Sequence, residues 1–353
     1  MRRRTRCALS EPWAFRPRGN PEPVVPRART SFHSGIFPAV VAVVCLLLAS
    51  TLGAQSPSSA SAPIVLTLAT ATPGGGFPLY GDALAAIVHD ADPTLVIRTE
   101  NTKGSTENIP LLKRGAVDLG LVQGEAAHDA FAGIGQPRAN LKIIAAMYST
   151  PGFFVVRADS PYRTIADLRG RPVAFGARGS GLVILARYVL DGLGLDMNRD
   201  FHAGLLDHAG DGRGMVADGR VAALWGGGVG WPGFTSVMNG PGGGRLIAPS
   251  SDEIQRITAA HDFLKPLLLP AGSYPHQDAP LRSVGSWSFV LARPGLSDEV
   301  AYRVARALHE AESAFAARLP QARETTSANT LAAAPRRDMI HPGVLRYLGE
   351  LGL

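Results

Sequence analysis

Residues 101–125 read NTKGSTENIPLLKRGAVDLGLVQGE. The opening NTKGSTE (101–107) is a dense polar run holding one glycine, and an apolar, β-prone stretch, LVIRT (95–99), stands directly before it. From Ser105 to residue 114 the pattern reads as a helix. A strand-to-helix turn needs only about two or three residues. A longer and more polar junction points to a second role besides turning. Helix N-termini present unpaired N–H groups and a partial positive charge, and they bind anions readily. Ser105 stands where a cap would sit, with Asn108 three residues on. Gly104 would let a ligand approach the backbone closely. Thr102, Ser105 and Asn108 offer side-chain hydrogen bonds.

The same grammar occurs twice more. ATATPGGG (69–76) follows an expected strand at 64–68 and precedes an expected helix at 78–89. Its contribution to a site would be Thr72, Gly75 and the adjacent Phe77. GARGSG (176–181) follows an expected strand at 172–175 and precedes a helix at 181–193, offering Arg178, Gly179, Ser180 and Gly181. In that helix Leu182, Leu185, Ala186, Val189 and Leu193 recur at three- and four-residue spacing, and Gly192 and Gly194 supply a stop. Further strands are expected at 119–122, 141–148, 153–157, 222–224, 265–269 and 287–292. Further helices are expected at 125–131, 252–261, 297–318 and 342–351. Such alternation specifies an α/β chain with mostly parallel sheets. Its length exceeds a usual single core, so two lobes are expected, with the three junctions facing one another across a cleft.

The chain has 353 residues, 46% hydrophobic and 18% charged, a globular composition. Eight of its 35 basic residues and two of its 29 acidic ones lie in 1–54, so the remainder holds 27 of each. The basicity therefore belongs to the leader, and nucleic-acid binding by the folded part loses its main support. That leader combines an arginine-rich start with an apolar core, IFPAVVAVVCLLLAS (36–50), and reads as an export signal with cleavage after Ala54. An uncleaved anchor is the alternative. SPSSASA (56–62) reads as a short linker, so 55–61 is taken to join the leader to the fold. The two cysteines, Cys7 and Cys45, both fall in the leader, which leaves an exported chain without disulfides, thiolate metal sites or a cysteine nucleophile. No GxxxxGK[ST], GxSxG or HExxH occurs. No metal or cofactor is expected, and no catalytic constellation. His341, before Pro342 and Gly343, suits a helix cap better than a catalytic base.

Several segments in order carry a family resemblance: TATPGGGFPLYG (70–81), NTKGSTEN (101–108), GAVDLGLVQGE (115–125), IIAAMY (143–148), TIADLRGRPVAFGARGSG (164–181), PAGSYPHQD (270–278) and HPGVLRYLGELGL (341–353). Together the chain resembles the TAXI family, the exported solute receptors of one class of tripartite ATP-independent periplasmic (TRAP) transporters. The resemblance implies a type II periplasmic-binding fold of two α/β lobes with a hinge and a central ligand cleft. One lobe would comprise 62–156 with 281–353, the other 157–280. It implies a periplasmic, monomeric, non-enzymatic receptor that passes a small organic anion, glutamate- or glutamine-like or another carboxylate, to a membrane permease. A sensor subunit for a histidine kinase or another transporter class, and an enzyme on the same fold, are the alternatives.

The chain departs from the family pattern. Phe77 and Pro78 stand where paired tyrosines are usual, and Leu182 and Val183 replace a polar pair. AALWGGGVGWPG (222–233) loses an acidic residue and adds Trp225 and Trp231. These changes make the expected pocket more apolar. Arg178 is a candidate counter-charge for a carboxylate. Trp225 either lies over the ligand or packs in the core. Gln123 and Tyr148, at strand ends, are expected to point into the cleft.

Overall fold

The computed structural model describes residues 62–353. The leader 1–54, the cleavage point, the linker 55–61 and both cysteines lie outside the described residues. Ten strands form one curled sheet. They are β1 (Ile64–Ala69), β2 (Leu95–Glu100), β3 (Leu119–Val122), β4 (Lys142–Arg157), β5 (Pro172–Ala177), β6 (His202–Leu206), β7 (Ala223–Gly227), β8 (Gly244–Ile247), β9 (Lys265–Leu269) and β10 (Leu281–Ala292). Their order is β2-β1-β3-β10-β4-β7-β5-β6, with β8 on β4 and β9 on β10. β1 pairs in parallel with β2 and β3, and β5 with β6 and β7. The pairings of β4 and β10 are antiparallel.

β4 decides how the parallel groups are joined. Two strands were expected, at 141–148 and 153–157; the structure has one strand of 16 residues. Proline lacks a ladder donor and is tolerated where pairing changes. Pro151 stands at that point: it faces Gly285 of β10, and from Gly152 onward β4 pairs with β7. The apolar residues pack on either side of this crossing. Phe153, Phe154, Phe175, Trp225 and Phe234 belong to one cluster that reaches Val284. Leu68, Tyr80, Leu84, Met147, Val290 and Phe315 belong to a second, and Ile109, Val122, Ile143 and Phe289 to a third.

Four helices position the cleft: α1 (Gly76–Ala91), α2 (Ser105–Lys113), α3 (Gly124–Ala132) and α4 (Gly181–Gly192). α4 buries Leu182, Leu185, Ala186 and Val189 on one face, as its spacing requires. Its last expected residue, Leu193, is the C-cap instead. The helix expected over 297–318 is interrupted at Ala311, giving Asp298–Glu310 and Glu312–Arg318. His341 does cap the final helix, its ring accepting from the Gly343 N–H at 3.2 Å.

The β4–β10 crossing tolerates no side chain at Gly285, where a Cβ would lie 2.0 Å from the Thr150 carbonyl oxygen. Gly285→Ala is expected to lose about 2–3 kcal/mol through overpacking. Gly214, with open space around its Cβ position on the helix Gly212–Ala217, is the control. Gly214→Ala is expected to be neutral or to gain up to about 1 kcal/mol. Urea denaturation of both variants measures the difference.

Candidate ligand-binding site

The three glycine-rich junctions line a single cleft. β1 leads through Thr72 and Gly75 into α1, β2 through Gly104 into α2, and β5 through Ser180 into α4. Gln123 enters from the end of β3, and Tyr148 and Thr150 from β4. Of the residues expected at a site, the structure brings together Thr72, Gly75, Phe77, Gly104, Ser105, Gln123, Tyr148, Ser180 and Gly181. Gly76, Leu182, Ala209, Gly227 and Trp231 join them, and Lys103 is the one charged lining residue among the described residues. The cleft has an empty volume of about 590 Å³, partly open to solvent. The space that whole water molecules fit is about 50 Å³, room for only a few at about 10–15 Å³ each.

Close backbone approach explains the glycines. Gly104 has φ +111°, and a Cβ there would stand 3.1 Å from the Gly179 carbonyl oxygen. A Cβ at Gly181 would stand 2.4 Å from Gln123 Cβ. The α2 and α4 junctions also touch directly: the Thr106 N–H and hydroxyl both donate to Gly179 O, at 3.1 and 3.0 Å. The α1 junction receives a bond from elsewhere, as Ala209 N–H donates to Thr72 Oγ1 at 3.1 Å.

Six expected site residues do other work. Ser105 lines the cleft but is not the cap of α2, since Gly104 holds that position without a side-chain bond. Ser105 Oγ instead accepts from Gln123 N–H at 3.1 Å, tying α2 to the end of β3. Asn108 is fully buried and away from the cleft. Its amide donates to Thr70 O at 2.7 Å and Leu121 O at 2.8 Å, while its oxygen accepts from Thr102 Oγ1 at 2.7 Å. Thr102 and Asn108 therefore pin the ends of β1 and β3 rather than contact a ligand. Arg178 is exposed on the rim and pairs with Asp207 at 3.5 Å, so it supplies no counter-charge inside the cleft. Gly179, with φ +84°, contributes its carbonyl to the α2 contact and does not line the cleft.

Trp225 is a core residue. It is 1% exposed, packs edge-on against Phe154 at 4.7 Å and donates its ring N–H to Leu182 O at 2.9 Å. The aromatic wall is Trp231 with Tyr148 and Phe77. Tyr274 sets the position of Trp231 by accepting from its backbone N–H at 2.8 Å and donating to Gly228 O at 2.7 Å. A signal for Trp231 lay in the sequence. It directly precedes Pro232, which favours the first turn of a helix, and so marks another strand-to-helix junction. Trp225 sits within the preceding strand run.

Behind Gln123, Glu125 is buried in the first turn of α3. One of its oxygens accepts from Ser286 Oγ at 2.7 Å. Burial pushes its carboxyl up to about 7, and the hydrogen bond from Ser286 only partly offsets this. Neither Gln123 Nε2 nor the second Glu125 oxygen reaches hydrogen-bond geometry with any described partner.

Residues 68–352 match the model of the NMT1-like family, with strand-to-helix junctions gathered on one cleft of a mixed α/β sheet. The chain belongs to the NMT1-like family. A solved structure from Bordetella bronchiseptica RB50 shares the fold, with a TM-score of 0.52 at 14% identity over 82% of this chain and 98% of that one. The periplasmic aliphatic sulphonate binding protein SsuA from Escherichia coli is similar at 20% identity, with 82% and 84% covered and a TM-score of 0.47. A TctC solute binding protein from Polaromonas is similar at 17% identity, with 84% and 99% covered and a TM-score of 0.44.

Two measurements check this geometry. The raised pKa of Glu125 means its stabilising contribution is full below its ordinary value of 4.5 and is lost as pH rises through about 7. The melting temperature of the wild type is therefore expected to fall relative to Glu125→Gln between about pH 5 and pH 8. Asn108→Ala strands buried carbonyls on two strands and is expected to lose about 3 kcal/mol in urea denaturation.

Proposed function

We propose that the protein is an exported solute receptor of the TAXI type, which captures a small organic anion and delivers it to a TRAP permease. Its two lobes, 62–156 with 281–353 and 157–280, would close on the ligand about the β4–β10 crossing. The observation that carries this reading is the convergence of three helix N-termini on one cleft. Each brings a partial positive charge to the same space. Aromatic rings of Phe77, Tyr148 and Trp231 offer an apolar wall beside them.

The magnitudes support binding without a metal or cofactor. Micromolar affinity is about 8 kcal/mol. Hydrogen bonds to a charged group contribute about 1.5–3 kcal/mol each. Four to six such bonds plus one aromatic wall reach that range once the costs of association are subtracted. One junction alone does not. The small free space in the cleft favours a compact ligand.

Trp231 supplies the readout. Titration with amino acids, 2-oxo acids, hydroxy acids and sulfonates is expected to find a compound that changes tryptophan emission, and Trp231→Phe is expected to remove the change. The same compound at about 100 times its Kd should add about 2.7 kcal/mol of stability. A ligand set that moves neither emission nor melting temperature would count against the receptor reading. The delivery step is checked by uptake into vesicles carrying the permease, which should require the added protein.

A further inference from the structure

We infer that the cleft is built for an anion that carries no ammonium group: a carboxylate or sulfonate whose other polar atoms accept hydrogen bonds. This rests on the receptor reading of the same cleft and narrows its substrate class. It follows from where each lining proton goes. Ser105 Oγ accepts from Gln123 N–H at 3.1 Å, Ser180 Oγ from Leu182 N–H at 3.2 Å, and Thr72 Oγ1 from Ala209 N–H at 3.1 Å. A backbone donor thus occupies one of the two acceptor lone pairs of each hydroxyl. None of the three hydroxyl protons meets an acceptor among the described residues. The Tyr148 hydroxyl likewise has no hydrogen-bond partner among the described residues, and it lies 3.5 Å from the Cβ position of Gly76 at the start of α1. Gln123 Nε2 is buried and unpartnered.

Four hydroxyl donors therefore await acceptors, Gln123 Nε2 standing beside Glu125 behind them, and no Asp or Glu lines the cleft among the described residues. Lys103, the charged lining residue, is a cation. Glu125 stands behind Gln123, but its side chain is engaged by Ser286 and does not line the cleft. A carboxylate or sulfonate meets this surround well, because each oxygen accepts charge-assisted bonds. An ammonium does not. It would leave water without gaining an anion, and burial of an unpaired charge is costly. The donors would also stay unsatisfied around it. An α-amino acid therefore loses on its amine what it gains on its carboxylate.

Calorimetry near neutral pH with pairs that differ at the amine tests the inference: pyruvate against alanine, 2-oxoglutarate against glutamate, and isethionate against taurine. At least one amine-free compound is expected to bind, with its amine counterpart weaker by about tenfold or more. The third pair separates a sulfonate from a carboxylate head. An amine-bearing compound that binds as tightly as its counterpart overturns the inference and leaves the receptor reading intact. No binding by any of the compounds overturns both. Tyr148→Phe and Ser180→Ala each remove one donor and should weaken the amine-free ligand by about tenfold. Melting of the ligand-free variants controls for misfolding. Unchanged affinity in both variants also overturns the inference.

Discussion

The structure depends on the antiparallel pairing of β4 with β10. Both strands are long enough to serve the two parallel groups of the sheet, β4 over 16 residues and β10 over 12. At their crossing Gly285 lies too close to the Thr150 carbonyl for any side chain. A shared strand pair holds the two groups in one sheet, and the carboxyl ends of β1, β2 and β5 open onto the same space. Ladder hydrogen bonds set this relation, so the site residues inherit their placement from backbone pairing. Loops alone would hold it less firmly.

The chemistry of the cleft follows from that placement. Helix N-termini supply amides, and the residues next to them are small hydroxyls whose oxygens are already used by neighbouring N–H groups. This arrangement uses one lone pair of each oxygen and leaves its proton available to a ligand. A side chain held by an accepted bond is a preorganised donor, and preorganisation lowers the cost of binding. The buried Gln123 amide and the Glu125 carboxyl behind it form a second layer. There one polar pair lies close without satisfying its hydrogen bonds, which is expensive in a dry interior.

Much of the fold was legible in the sequence, because apolar runs and glycine-rich turns alternate strongly. β3 and β9 lie where the pattern put them, and the three junctions were visible as polar runs after strands. β6 and β8 were not seen. They are short, and β6 is largely unburied, so neither carries enough alternation to declare itself. The helices Met197–Asp200, Gly212–Ala217, Pro232–Met238 and Ser327–Ala333 span two turns or fewer and show no full period. Within the site, residue type identified the junctions but not the direction of each side chain. Asn108 and Ser105 look alike as polar groups beside a helix start. Only the fold shows that one pins two strands while the other faces the cleft. Arg178 and Trp225 were attractive for their chemistry, and packing sends one outward and the other into the core.

Several contacts between distant segments near the cleft have a main-chain group on at least one side. Gly179 O receives Thr106, Thr72 receives the Ala209 N–H, Gly230 O receives Gln321, and Gly74 nearly meets Gly210 backbone to backbone. In the proposed receptor, shutting and choosing are therefore carried by largely different atoms, with Thr72 Oγ1 serving both. Side chains facing the ligand can be exchanged to suit a new solute while the clasp, made mostly of peptide groups, stays as it is.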